Sequence, residues 1–242
     1  MPFLYLQDLG KETVIHPIND SIKMKLRVGT YDKWATYQVW KFEDYKNKLF
    51  TIQPTDTIID IGGHIGSFSI WASKQASNGK VYTFEPNVEN FHLLKENKEL
   101  NQISNLEIFN LAVSNNIGEV ILFNSVYQNL GHSLYENHLL NKTIVQSTTL
   151  DKILEDNRLE KVDLLKVDAE GAEYSILLNA SAHTLQKIDK IILEYHDYLN
   201  HGFTFQDIKK HLEINGFEVE QKASLYRQRV LKLGLLIARR IY

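Results

Sequence analysis

The 242-residue chain has no cysteine. That excludes disulfides, thiolate metal sites and a cysteine nucleophile, and it removes any cue to redox compartment. It also has no basic excess: the formal net charge is −3, so no surplus of cations is available to displace counterions from a phosphate backbone. The start, Met1-Pro-Phe-Leu-Tyr-Leu-Gln-Asp8, has no basic opening, sustained apolar core or small-residue cleavage site, and reads as mature protein. The apolar run near the other end, Leu231 to Ala238, contains Lys232 and is far shorter than the roughly 20 residues that span a bilayer. A cytoplasmic protein with no membrane span is expected. Repeats and linkers are absent too, so one globular domain is expected, with residues 1–50 packed on, or lidding, a main unit at 51–242.

What is present centres on Thr57-Ile-Ile-Asp-Ile-Gly-Gly-His-Ile-Gly-Ser67. A β-branched run ends at Asp60, three glycines fall within five positions, and Phe68, Trp71 and Ala72 then recur at helical spacing. The pattern predicts a buried strand, a tight turn and a helix over 65–76 whose first amides point at a ligand above the strand ends. Alternating periods continue: strand 80–84, helix 87–99 behind Pro86, strand 106–113, strand 162–167 and strand 188–195. That alternation implies βαβ units around a mostly parallel sheet. Strand 118–124 lacks an intervening helix and reads as a hairpin addition. The polar stretch 124–142, with His132 and His138, reads as a functional loop. Thr148 with Asp151, and Thr204 with Asp207, resemble helix-capping boxes, and Gly216 stops the second of these helices. The strands around 217–220 and 233–238, with no helix between them, suggest an antiparallel hairpin at the sheet edge. Ahead of the core, 13–17 and 22–28 read as short strands, and 32–48 as a helix with an aromatic face.

Polar residues gather where strands end: Asp60, Glu85, Asp168 with Glu170, and Glu194 with His196. In an open α/β sheet, ligands lie beyond those ends. Glu85 follows the glycine turn by about 20 residues, where a carboxylate can accept ribose hydroxyls. Asp60 suits a cationic group better than a pyrophosphate, and the turn lacks full G-x-G-x-x-G spacing. The pair therefore favours S-adenosylmethionine (SAM) over NAD, with helix capping as the alternative role for Asp60. Lys166, inside a strand, is expected to be a structural ion-pair partner.

Asp60-Ile-Gly-Gly-His-Ile-Gly66 resembles the first motif of class I methyltransferases. The ordered set Phe84-Glu-Pro-Asn87, Leu94-Lys-Glu-Asn97, Ala112-Val-Ser114, Gly118-Glu-Val120 and Leu165-Lys-Val-Asp-Ala-Glu-Gly-Ala-Glu173 resembles the FkbM family of SAM-dependent methyltransferases. Arg27-Val-Gly-Thr-Tyr-Asp32 and Glu194-Tyr-His196 extend the likeness over about residues 25–240, and His64 stands where many methyltransferases have glycine. The resemblance implies a Rossmann-like α/β fold with a seven-stranded, mostly parallel sheet and a C-terminal antiparallel hairpin. It implies O-methylation of a hydroxyl on a sugar, glycan or natural-product-type molecule. By match, Asp60, Gly62, Gly63 and Gly66 would hold the methionine part, Glu85 the ribose, and Leu111, Ala112 and Val113 the adenine. His64, Ile65, Pro86 and Asp168 complete the expected cofactor set.

Transfer to a hydroxyl needs an aligned, deprotonated oxygen. The candidates for that work are Asp168, Glu170, Glu194, His196 and His132. Asp168, Glu170, Glu194 and His196 are also possible donors to a divalent metal, but nothing in their spacing demands one and no metal ligand is assigned. The alternatives are an inactive SAM-fold binding module, an NAD-dependent oxidoreductase and a nucleic-acid N-methyltransferase. The last usually has Asn/Asp-Pro-Pro-aromatic where this chain has Asp168-Ala-Glu-Gly171.

Overall fold

A computed structural model describes residues 12–41, 51–124, 141–197, 202–222 and 233–242. The first elements are an antiparallel pair, β1 (Thr13–Pro17) and β2 (Lys23–Arg27), followed by helix α1 (Asp32–Trp40). Next come β3 (Thr57–Ile61), α2 (Ser67–Gln75), β4 (Lys80–Phe84), α3 (Val88–Leu100) and β5 (Leu106–Phe109). Strands β6 (Ala112–Val113), β7 (Gly118–Asn124) and β8 (Asn141–Thr148) form a separate sheet in the order β6-β8-β7. The chain then returns through α4 (Leu150–Asp156), β9 (Leu164–Val167), α5 (Glu173–Leu177), α6 (Ala182–Gln186) and β10 (Lys190–His196). It ends with α7 (Phe205–Ile214), β11 (Phe217–Lys222) and β12 (Leu233–Arg240).

The main sheet has seven strands in the order β11-β12-β10-β9-β3-β4-β5. Strands β10, β9, β3, β4 and β5 are parallel, while β12 runs antiparallel to both its neighbours, β10 and β11, giving the closing antiparallel pair that the sequence pattern predicted. From β3 the chain moves outward to β4 and β5, then crosses back to β9 on the other side. The order therefore reverses between β3 and β9, the place where ligands enter such sheets.

The period-2 alternation of each strand divides the core in two. Ile59, Ile61, Tyr82, Phe84, Leu165, Val167, Ile191 and Leu193 pack on one face with residues of α4, α5 and α7. Ile58, Val81, Leu164 and Ile192 pack on the other face with α2 and β2. Strand β2 is tied to α3 by side-chain amides that imitate a neighbouring strand. Asn97 accepts from Lys25 N (2.6 Å) and donates to Lys25 O (3.1 Å), and Asn101 does the same for Lys23 (3.0 and 2.6 Å). A second donation from Asn97, to Ile65 O at 3.0 Å, links this arm to the glycine turn. No helix among the described residues is long and apolar enough to cross a membrane.

Several boundaries differ from expectation. The run 106–113 breaks at Asn110, whose amide donates to Glu85 O (2.8 Å) and Pro86 O (3.0 Å), and 112–113 leaves for the smaller sheet. The cap of α4 is Thr149, which accepts from Lys152 N at 3.2 Å; Thr148 belongs to β8. Asp151 is therefore not a capping-box partner of Thr148, and it accepts from Ser181 and Thr184 instead. The Thr204–Asp207 capping box forms as predicted. Residues 42–48 of the expected aromatic helix lie outside the described residues.

Gly62 is the turn position with least freedom. Its φ is +83°, and a Cβ there would sit 1.8 Å from the carbonyl oxygen of Asp168. Gly29 has a similar φ, +78°, but open space around it. Gly62→Ala is expected to destabilise the fold by at least about 2 kcal/mol, and Gly29→Ala by only about 1, since strain alone acts there. Chemical denaturation of the two variants checks the difference.

Candidate functional site

The glycine turn leaves β3 against the end of β9 and is held from below by a buried ion pair. Lys166 Nζ lies 3.0 Å from Asp60 Oδ1 and 3.3 Å from Gly62 O, with the Phe68 ring beneath it at 5.4 Å. Ser69 donates to Asp60 Oδ2 at 2.6 Å. Burial pushes the Asp60 carboxyl up, against the opposing pull of Lys166 and Ser69. Sequence reasoning had Asp60 facing a cationic ligand group. The structure turns it inward, fully buried on the α2 face, with both oxygens committed to protein donors. Lys166 is the structural partner it was expected to be. The carboxylate that does reach the rim here is Asp168, 3.9 Å from Lys166 and about a third exposed.

Next to the turn, Glu85 ends β4 as a buried carboxylate. Oε2 accepts from His64 N (2.7 Å), while Oε1 accepts from Asn87 N (2.9 Å) and more weakly from Asn90 Nδ2 (3.4 Å). Burial raises its pKa to about 7, against those hydrogen bonds. An ionised carboxylate offers about four lone-pair directions, so one strong bond can be added without displacing a partner. His64 adopts φ +49°, a left-handed conformation that costs a non-glycine residue about 1 kcal/mol or more. That geometry aims its N–H at Glu85. Its imidazole meets the N-terminal arm, with Nε2 3.3 Å from Arg27 Nη2 and 3.4 Å from Asp32 Oδ1. Arg27 grips Asp32 through two 2.9 Å bonds and donates to Asn90 at 2.8 Å. Asp32 is fully buried, which would raise its pKa, yet Arg27 and His64 bring it below the usual carboxylate value.

On the other side of the switch point, Asp168-Ala-Glu-Gly171 turns from β9 into α5. Glu170 sits in the left-handed region (φ +46°) and Gly171 follows at +102°. The loop is closed from inside by Glu173, fully buried, which accepts from Ala169 N and Gly171 N, each at 2.8 Å. His196, at the end of β10, lies with Nδ1 3.0 Å from Glu173 Oε1 and Nε2 3.6 Å from Glu170 Oε2. Burial works against a charged ring, but Glu173, Glu170 and Asp168 outweigh it and hold the His196 pKa well above the usual imidazole range.

The expected site residues thus fall into three groups. Gly62, Gly63, His64, Ile65, Gly66, Glu85 and Pro86 surround the glycine turn, and Asn110 carries the chain from there to Leu111, Ala112 and Val113. Asp168, Glu170 and His196 converge across β9 and β10. Glu194 lies one pleat deeper, half-buried and opposite Leu235. His132 lies outside the described residues. The sequence reading missed Glu173, Arg27, Asp32 and Asn90 as site residues. Glu173 carried a signal, since a glutamate five residues past a strand-end aspartate can return to cap its own loop.

Donor atoms of Asp168, Glu173 and His196 lie within 4.8 Å of one another, compact enough to surround a cation. Glu173 already serves two amides and an imidazole, however, and that set closes on itself. The glycine turn suits a cofactor better. Gly62 is partly exposed at the turn and Glu85 keeps one acceptor direction beside it, while Gly63 packs inward, where a Cβ would meet Thr83 at 2.2 Å.

Comparison with known proteins follows the same outline. Residues 60–219 match the methyltransferase FkbM domain. "Methyltransferase 1" of Beauveria bassiana is 26% identical over 221 residues, spanning 82% of this chain and 88% of that protein. The hexuronic acid methyltransferase AglP of Haloferax volcanii is 26% identical over 168 residues, 66% of each chain. Among solved structures, an rRNA methylase from Streptococcus thermophilus superposes with a TM-score of 0.53 at 10% identity, covering 84% of this chain and 96% of that one. That last likeness concerns the fold alone.

Lys166→Met is expected to destabilise the protein by about 3–5 kcal/mol in urea denaturation, because it strands a buried carboxylate. Adding Asp60→Asn to it restores most of the loss. Additive losses in the double variant would show that the two groups do not act as a pair.

Proposed function

The chain belongs to the FkbM family of SAM-dependent methyltransferases, and from that premise we propose that it methylates a hydroxyl of a sugar, glycan or similar small molecule. SAM supplies a methyl carbon on a cationic sulfur. The turn of Gly62, Gly63 and Gly66 would receive its methionine part, Glu85 a ribose hydroxyl, and Leu111, Ala112 and Val113 the adenine. Asp60 would act indirectly, by fixing the turn. Asp168, at the rim between the turn and His196, would face the positive end of the donor.

The observation that carries hydroxyl specificity is the convergence of Asp168, Glu170 and His196 at one lip of the cleft. A hydroxyl is a poor nucleophile until its proton can leave, and this lip sets the carboxylates of Asp168 and Glu170 beside a ring whose positive charge they favour. A relative named for a hexuronic acid supports a sugar-like acceptor. The acceptor oxygen would be held in line with the sulfur–carbon bond, and orientation itself lowers the barrier.

The direct test is incubation of the protein with SAM and a panel of hydroxylated sugars and glycans, read by mass spectrometry. A gain of one CH₂ on a hydroxyl is expected. Methylation confined to amines would overturn the reading. Glu85→Ala is expected to weaken SAM binding by about 1–3 kcal/mol in calorimetry. Hydroxyl donors favour the ionised carboxylate, so wild-type SAM affinity should rise as the pH climbs through about 7, where Glu85 loses its proton. A flat profile would remove Glu85 from the ribose site.

A further inference from the structure

We propose that Arg27 is a positioning residue for the donor: its guanidinium fixes the Asn90 side-chain amide with the NH₂ toward Glu85, and so prepares that carboxylate to accept a ribose hydroxyl. The inference rests on the reading of Glu85 as the ribose acceptor and assigns the group that readies it. Glu85 is buried, and three N–H groups among the described residues reach its carboxylate: His64 N at 2.7 Å, Asn87 N at 2.9 Å and Asn90 Nδ2 at 3.4 Å. The first two are backbone amides, placed by the glycine turn and by the approach to α3. The third belongs to a planar side chain that can rotate by half a turn. In that other orientation an amide oxygen would face the carboxylate, and a bond would become a repulsion.

Arg27 decides between the two orientations. Its Nη2 lies 2.8 Å from Asn90 Oδ1, and a guanidinium only donates, so the amide oxygen must face the arm and the nitrogen the carboxylate. Asn90 is 2% exposed, so its amide meets protein on all sides. The guanidinium is itself held in plane by the fully buried Asp32, which takes Nε on Oδ2 and Nη2 on Oδ1, both at 2.9 Å. Among the described residues its side-chain bonds all pass through Nε and Nη2, and Nη1 is buried without one. A planar fork serves Asp32 and Asn90 together, a geometry that a lysine ammonium does not reproduce. Burial opposes ionisation of Glu85, and the charge of Asp60 on β3 adds to that. The other charged or titratable groups on this side are the His64 ring, 3.3 Å from Arg27, and the Arg27–Asp32 pair behind Asn90. The chain around α3 and after β5 presents the neutral Asn87, Asn90 and Asn110.

The test reads Glu85 directly, in the full chain without SAM. Glutamate labelled with ¹³C at the carboxyl carbon reports each titration, with Glu85→Gln supplying the assignment. The wild-type midpoint should lie at about 7. In Asn90→Ala, which leaves the Arg27–Asp32 pair intact, it should rise by about half a pH unit or more. Arg27→Lys keeps the positive charge, so a similar rise there reports lost orientation and not lost charge. Combined, the two changes should raise it no further than Asn90→Ala alone, because Arg27 acts through Asn90. Each variant should also bind SAM about twofold or more weakly near neutral pH, as the ionised fraction of Glu85 falls. A Glu85 midpoint unchanged in Asn90→Ala, or a wild-type midpoint retained in Arg27→Lys, would overturn the proposal. Failure of the ribose reading shows instead as unchanged SAM affinity in Glu85→Ala, so the two are separable.

Discussion

The site depends on one buried ion pair. Lys166 and Asp60 come from adjacent strands, β9 and β3, and meet beneath the glycine turn at the point where strand order reverses. A charge pair in the interior is a weak source of net stability, because desolvation offsets most of the attraction. Its value here is geometric. The lysine also reaches the carbonyl of Gly62, so one ammonium group fixes the end of β3, the start of the turn and the approach to Asp168. Gly62 lies flat against the backbone of Asp168 because it has no Cβ, and the pair keeps the two strand ends in register for that contact.

From this anchor, two polar lips diverge. On the β4 side a carboxylate organises amides: Glu85 gathers the N–H groups of His64 and Asn87, while the Arg27–Asp32 arm braces the imidazole above. On the β10 side another carboxylate does the same. Glu173 gathers the amides of Ala169 and Gly171 and meets the buried imidazole of His196. Each lip contains a non-glycine residue in the left-handed region, His64 and Glu170. Strain of that kind persists only where surrounding bonds over-determine the backbone. Membership in the FkbM methyltransferases explains why the chain would cradle a donor here, and the opposite lip is the one proposed above to face a hydroxyl acceptor.

Much of this was legible before any coordinates. Strands β3 and β4 fall where the apolar runs place them, because buried parallel strands are continuous hydrophobic segments bounded by turn residues. The closing antiparallel pair announced itself by the missing helix. The misses share a cause in contacts between residues distant in sequence. Nothing local in 106–113 reveals that Asn110 bonds back to Glu85 and Pro86 and ends the strand. Thr148 and Thr149 are equally good caps until β8 claims the first. Asp60 looked ligand-facing because its strand-mate Lys166 is 106 residues away. Glu173 and the amides it caps lie within one motif, but its imidazole partner, His196, lies outside it.

The central claim is that the cleft at this switch point is shaped for a cationic adenosyl donor. Calorimetric titration of the whole chain with SAM, and separately with NAD, tests it most directly. The account predicts saturable SAM binding at one site per chain and no heat with NAD. Binding of NAD with no response to SAM would contradict it.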